Sequence, residues 1–143
     1  MKIQFQKLHP FAKLPAYQTL GAAGFDFSCI EDVELKSGEV SLVSTGLAVQ
    51  IPEGYELQIR ARSGLSAKFG IFLVNGVGTI DSDYRGEIKI IMSTCKPGSI
   101  FLKAGDRIAQ GVVAKVERAE VALVAVLDET ERAEGGFGST GRV

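Results

Sequence analysis

"IFLVNGVGTIDSDYRGEIKIIMS", residues 71–93, sets two apolar runs on either side of a polar, turn-like insert. The runs are rich in β-branched and aliphatic residues, which favours strands on both sides. Asn75-Gly76 between apolar residues is a strong hairpin signal, because the central positions of the favoured hairpin turns need φ > 0. Working outward, period-two alternation recurs at 2–8, 41–51, 55–61, 87–93 and 120–127. Turn chemistry separates these runs at 36–39, 52–54, 96–99 and 103–106. Helical periodicity is confined to "SGLSAKFG" (63–70), a turn or two with Ser63 as candidate N-cap. Many short strands with frequent turns predict an all-β, jelly-roll-like sandwich or barrel with one short helix. No linker or internal repeat divides the chain. Hydrophobic periodicity stops at about residue 128, so residues 1–127 read as one β domain and 128–143 as a glycine-rich C-terminal arm.

Composition narrows the function. The chain has 143 residues, 45% hydrophobic and 23% charged, with a formal net charge of −1. That balance is ordinary for a soluble globular domain and gives no support to a nucleic-acid coat or a membrane-surface protein. Cys29 and Cys95 are its only cysteines and His9 its only histidine, too few for a disulfide scaffold or a zinc site. The N-terminus lacks a signal-peptide apolar stretch and no later run is long enough to span a membrane, so the expectation is a reduced, cytoplasmic protein.

Several segments carry chemistry. In "GTIDSDYRGE" (78–87) Asp81 and Asp83 bracket a serine as in a calcium loop. The third ligand position, however, falls on Arg85 and the twelfth on Met92, so that reading fails. A polar strand-to-turn junction accounts for these residues without any function. A carboxylate emerging from the end of an apolar run would instead be partly desolvated and could serve as a general base. Arg62, Ser63 and Gly64 in "RARSGLSAKFG" (60–70) could cradle a phosphate with a guanidinium, a hydroxyl and free amides; a capping serine beside a surface arginine explains the same residues. Gln110 in "GDRIAQG" (105–111) is a polar residue in an apolar run, equally readable as an outward-facing strand position. In "AAGFDFSC" (22–29) alternation sends Phe25 and Phe27 to one face and Asp26 to the other. The arm offers Arg132, Phe137, Ser139 and Thr140 among glycines, a set suited to polyphosphate binding and base stacking. No G-x-x-x-x-G-K-[ST] is present, so any phosphate handling is not P-loop chemistry.

Taken in order, "AGFDFSC", "RSGLSAK", "NGVGTIDSDYRGE", "GDRIAQG" and "RAEGGFGSTG" resemble the five motifs of the trimeric dUTP nucleotidohydrolases (dUTPases), over residues 22–141. The resemblance implies a jelly-roll subunit, a homotrimer with sites at subunit interfaces, and Mg²⁺-dependent hydrolysis of dUTP to dUMP and pyrophosphate. That reaction limits uracil incorporation into DNA and supplies dUMP for dTMP synthesis. By position, Asp81 is implied as the general base. Asn75, the backbone of Gly78, Thr79 and Ile80, and the strand reaching Lys89 are implied to read uracil. Tyr84 is implied to lie under the deoxyribose and exclude a 2′-hydroxyl. Arg62, Ser63, Gly64 and Gln110 are implied to hold phosphates. From the arm, Arg132 is implied to approach the phosphates, Phe137 to cover the base, Ser139 and Thr140 to grip the terminal phosphate, and Gly138 to bind substrate beside them. No direct protein ligand to the metal is implied; Asp26 supports either its water shell or the neighbouring arginine. Ala61, Phe27, Cys29 and Ala133 depart from common family choices without removing a needed chemical group.

Two other classes fit the same fold. A dCTP deaminase-like enzyme need not carry the H-x-E…C-x-x-C zinc signature, which is impossible here; Asp81 and Tyr84 in a complete third motif argue against it. A catalytically inactive jelly-roll binding protein would have no reason to keep the motifs intact.

Overall fold

The alternating segments become strands in a computed structural model, which describes residues 1–136. In chain order the elements are β1 (Gln4–Lys7), β2 (Ala16–Tyr17), β3 (Phe25–Ser28), β4 (Val33–Lys36), β5 (Ser41–Ser44), β6 (Leu47–Gln50) and β7 (Tyr55–Arg60). The helix α1 (Ser63–Phe69) follows, then β8 (Ile71–Leu73), β9 (Gly78–Ile80), β10 (Lys89–Thr94), β11 (Ser99–Leu102) and β12 (Arg107–Lys115). The largest sheet runs β2-β3-β12-β7-β9; smaller ones are β5-β10-β8, β1-β6 and β11-β4. All strand pairs are antiparallel. The expected mostly-β chain with one short helix is what forms.

Alternation decides the core. In β3 Phe25 and Phe27 are buried while Asp26 faces the other way. Phe5 meets both rings edge-on, at 5.9 and 6.1 Å between centroids, and so ties β1-β6 to the five-stranded sheet. Burying each such ring contributes about 1.5–3 kcal/mol. Opposite them on β12 is Gly111, where a Cβ would lie 2.7 Å from a ring carbon of Phe25 and of Phe27. The two aromatic rings occupy the space a side chain would need.

Four expectations change in the fold. The run at 41–51 is two strands, because Gly46 turns at φ 66° and sends β5 to one sheet and β6 to another. Asn75-Gly76 does make a turn, with Gly76 at φ 71° and its N–H donating to the Leu73 carbonyl at 3.0 Å. It does not close a hairpin: β8 pairs with β10 and β9 with β7, so the turn carries the chain between sheets. Ser63 is the first helical residue and not the N-cap. The Arg62 carbonyl accepts the first helical bonds, from Leu65 and Ser66, and no side chain caps the end. Finally, 120–127 forms no strand, and Val121, Leu123, Val124, Val126 and Leu127 are exposed. Alternation prepares a strand but cannot supply the neighbouring backbone that satisfies its N–H and C=O groups. No helix among the described residues is long and apolar enough to cross a membrane.

Gly111→Ala should overpack this contact and cost about 1–3 kcal/mol. A clear drop in melting temperature is expected in a thermal denaturation scan, whereas Gly38→Ala, which meets no neighbouring atom but sits at φ 78°, should cost less.

Candidate active site

The turn after β9 folds on itself. The Tyr84 N–H donates to the Asp81 carbonyl at 3.2 Å. Arg85 reaches back, its Nη1 donating to the carbonyls of Ser82 at 2.7 Å and Tyr84 at 2.8 Å. The Tyr84 hydroxyl donates to the Glu87 carbonyl at 3.0 Å. Beyond the turn, the Glu87 carboxylate accepts the Gly46 N–H at 2.9 Å, and Lys89 Nζ lies 3.6 Å from its other oxygen.

This turn forms one side of a cavity of about 590 Å³, which Asn75, Gly78, Thr79, Ile80, Asp81, Tyr84 and Lys89 all line. Its floor is apolar, with Ile59, Leu73 and Ile90. At Gly78 a Cβ would sit 3.2 Å from Ile59 and 3.3 Å from the Asn75 amide nitrogen, so the missing side chain lets the asparagine pack onto the backbone. Asp81 is exposed at the mouth of the cavity, not partly desolvated as its apolar approach suggested. Ile80 ends the strand and the carboxylate projects past it.

A second group assembles where β3, β12 and β7 run side by side. Register pairs Gln110 with Asp26 on one side and Arg60 on the other. Asp26, only 12% exposed in its side chain, binds two arginines: Arg62 Nε at 3.2 Å and Arg107 Nη1 at 2.9 Å. Arg62 Nη1 also donates to the Arg107 carbonyl at 2.7 Å, and Gln110 Nε2 donates to the Ala61 carbonyl at 3.0 Å. Ser63 and Gly64 follow Arg62 and are exposed, their first-turn N–H groups having no intrahelical partner.

The two groups are apart in the chain. Register sets Ile80 opposite Leu57, so Asp81 comes level with Glu56. Arg62 lies further along the same segment, on the order of 15–20 Å away at a rise of about 3.3 Å per residue. Arg132 joins neither group: its Nε donates to the Gly135 carbonyl at 2.8 Å, closing a local turn in which Ala133 takes φ 43°. Phe137, Gly138, Ser139 and Thr140 lie outside the described residues.

Comparison with known proteins gives the family. The family model described as dUTPase matches residues 11–141. The chain belongs to the dUTPase family. It is 58% identical to the deoxyuridine 5'-triphosphate nucleotidohydrolase of Wolinella succinogenes, over 99% of this chain and 95% of that protein. The protein of the same description from Helicobacter pylori strain P12 is 49% identical, over 99% and 97%. Among solved structures, the Staphylococcus bacteriophage 80alpha dUTPase with dUPNHPP superimposes with a TM-score of 0.90 at 29% identity, covering 98% of each chain. The fold is therefore the dUTPase jelly roll.

Arg107 was missed in the sequence. Within "GDRIAQG" only Gln110 stood out, since a polar residue in an apolar run is conspicuous while an arginine after a turn is not. The signal that could have found it is the pairing of two arginine-bearing segments with one carboxylate. The turn that delivers Arg107 is braced from behind: the buried Cys29 thiol donates to the Lys103 carbonyl at 3.0 Å, and burial pushes its pKa above the usual thiol value. Nearby, Asp32 takes a hydrogen bond from Lys103 that holds its carboxyl below the usual range. Among the described residues, no group of three or more His, Cys, Asp or Glu side chains could hold a metal ion. Asp26, with both carboxylate oxygens on arginines, has the geometry of arginine support.

Removing Asp26 should leave two guanidiniums facing each other. Asp26→Ala is expected to cost about 1–2 kcal/mol in chemical denaturation, and adding Arg107→Ala should recover part of that loss. Additive losses would show that Asp26 and Arg107 are not coupled.

Proposed function

We infer that the chain hydrolyses dUTP to dUMP and pyrophosphate, with a water activated by Asp81 attacking the α-phosphorus. The observation that carries this reading is the gathering of Asp81, Tyr84, Asn75 and the β9 backbone on one cavity in a dUTPase-family chain. Strand backbone has fixed N–H and C=O groups, which suit the edge of a uracil. Asn75, Gly78, Thr79, Ile80 and the strand beginning at Lys89 form that wall. The Tyr84 ring borders the deoxyribose and leaves no space for a 2′-hydroxyl. The Asp81 carboxylate takes a proton from water as the water oxygen bonds to phosphorus, the α–β phosphate bond breaks, and pyrophosphate leaves. No covalent enzyme intermediate is needed, so positioning and charge compensation supply the rate.

Arg62, Arg107, Ser63, Gly64 and Gln110 receive the phosphates. Two arginines share one aspartate, and the remaining positive charge suits an anion. Mg²⁺ bound to the triphosphate would neutralise part of the phosphate charge, with no direct protein ligand required. Asp26 acts in this scheme by holding the arginines. From the arm, Arg132 approaches the phosphates, Phe137 covers the base, and Gly138, Ser139 and Thr140 close on the terminal phosphate, with residues 128–143 acting as one unit.

The separation of Asp81 from Arg62 supports a site shared between copies, in a homotrimer. Exposed apolar residues at 121–127, which find no strand partner among the described residues, support the same assembly. The reaction is that of a cytoplasmic nucleotide-pool enzyme, with no nucleic-acid or membrane partner.

Asp81→Asn should lower kcat for dUTP by about 10²–10⁴-fold with nucleotide binding retained. Pyrophosphate release and equilibrium binding of a non-hydrolysable analogue check this; turnover near wild type would remove Asp81 from its role. The shared site has its own test. Asp81→Asn and Arg62→Ala chains, each inactive alone, should regain activity on co-refolding, as about a quarter of all sites in a random equimolar mixture draw both intact residues. Absence of any recovery in verified mixed oligomers would put both residues in a site of one chain.

A further inference from the structure

Gly86 has no side chain, and its backbone does not require that. It is absent from the glycines that take positive φ, so an alanine could adopt its conformation. What forbids a side chain is Tyr84. A Cβ at Gly86 would overlap the Tyr84 hydroxyl and lie 2.6 Å from Cζ and 3.0 Å from Cε2. The ring is folded back over the chain that follows it, and its hydroxyl donates to the Glu87 carbonyl. Glu87 is itself fixed, because its carboxylate holds the Gly46 N–H while the next residue, Ile88, donates to the Leu47 carbonyl at 2.8 Å. Tyr84 is 42% exposed, so the Glu87 tether and the bare Gly86 hold a ring that the core does not enclose.

We propose that Gly86 is a positioning residue that sets selectivity against 2′-hydroxyl nucleotides, its bare α-carbon being the seat on which the Tyr84 ring lies. The proposal rests on the reading that Tyr84 borders the sugar. A ring rejects a hydroxyl sterically only if it cannot swing away, since a wall that yields loses its discrimination. The seat at Gly86 and the tether at Glu87 both hold the hydroxyl end of the ring. An added methyl group at position 86 pushes the far end of a flexible side chain and not the backbone, so the fold tolerates it while the wall shifts.

The test compares kcat/KM for UTP and dUTP in the wild type, Gly86→Ala, Tyr84→Ala and the double variant, with melting temperatures alongside. Gly86→Ala is expected to raise the UTP:dUTP ratio about tenfold. In the Tyr84→Ala background the same substitution should change that ratio less than about twofold, because its effect passes through the ring. An unchanged ratio in folded Gly86→Ala, or an equal effect with and without the ring, would overturn the proposal. If Tyr84→Ala leaves the ratio unchanged, the reading of Tyr84 itself fails. If Tyr84→Ala raises it and Gly86→Ala does not, only the seat fails. Should Gly86→Ala not fold, the double variant decides: folding there supports the overlap with Tyr84, and failure to fold there refutes it.

Discussion

The turn from Asp81 to Glu87 depends on a clamp at its far end. The Thr45 hydroxyl, fully buried, donates to the Ile88 carbonyl at 2.7 Å, and the Gly46 N–H donates to the Glu87 carboxylate. A buried hydrogen bond contributes about 1 kcal/mol net, but an unmet partner in the same place costs about 1–3 kcal/mol. The junction therefore resists sliding. It joins the corner where β5 passes into β6 to the residues just before β10. The interval from Asp81 to Glu87 then has one fixed end in β9 and another at this corner, and it folds between them with its own hydrogen bonds. Tyr84 and Asp81 receive their directions from that interval.

The arginine pair around Asp26 obeys a different constraint. Like-charged guanidiniums repel, and Arg62 and Arg107 stay close because Asp26 takes one on each oxygen. The pleat of β3 puts Asp26 on the face opposite Phe25 and Phe27, so the alternation that builds the core also delivers this carboxylate to the arginines. Fold and site share three consecutive residues. On the proposed reading, substrate adds phosphate charge to a group already organised around one negative charge, so little must rearrange when it binds.

Much of this was legible in the chain. Period-two alternation identified β1, β7 and β10 to within two residues, and the polar interval between apolar runs supplies one side of the cavity. Less legible was how strands associate. Asn75-Gly76 carries the chemistry of a hairpin, yet the strands it joins pair elsewhere, because a turn residue specifies a local bend and not the neighbours of the segments leaving it. The run at 41–51 looked continuous because Thr45 and Gly46 interrupt it by only two residues. The run at 120–127 alternates as well as any strand, and among the described residues it has no ladder to join.

Residue order by itself determined the family, the mostly-β class and the chemistry available at Asp81, Arg62, Tyr84 and Gln110, since side-chain identity and alternation are local properties. Only the tertiary structure decided which of these meet. It brought Arg107 to Asp26, pressed the Tyr84 ring onto Gly86, and kept Arg62 away from Asp81. Those outcomes depend on register between strands far apart in sequence, and register is set by packing across the whole core, which no single segment contains.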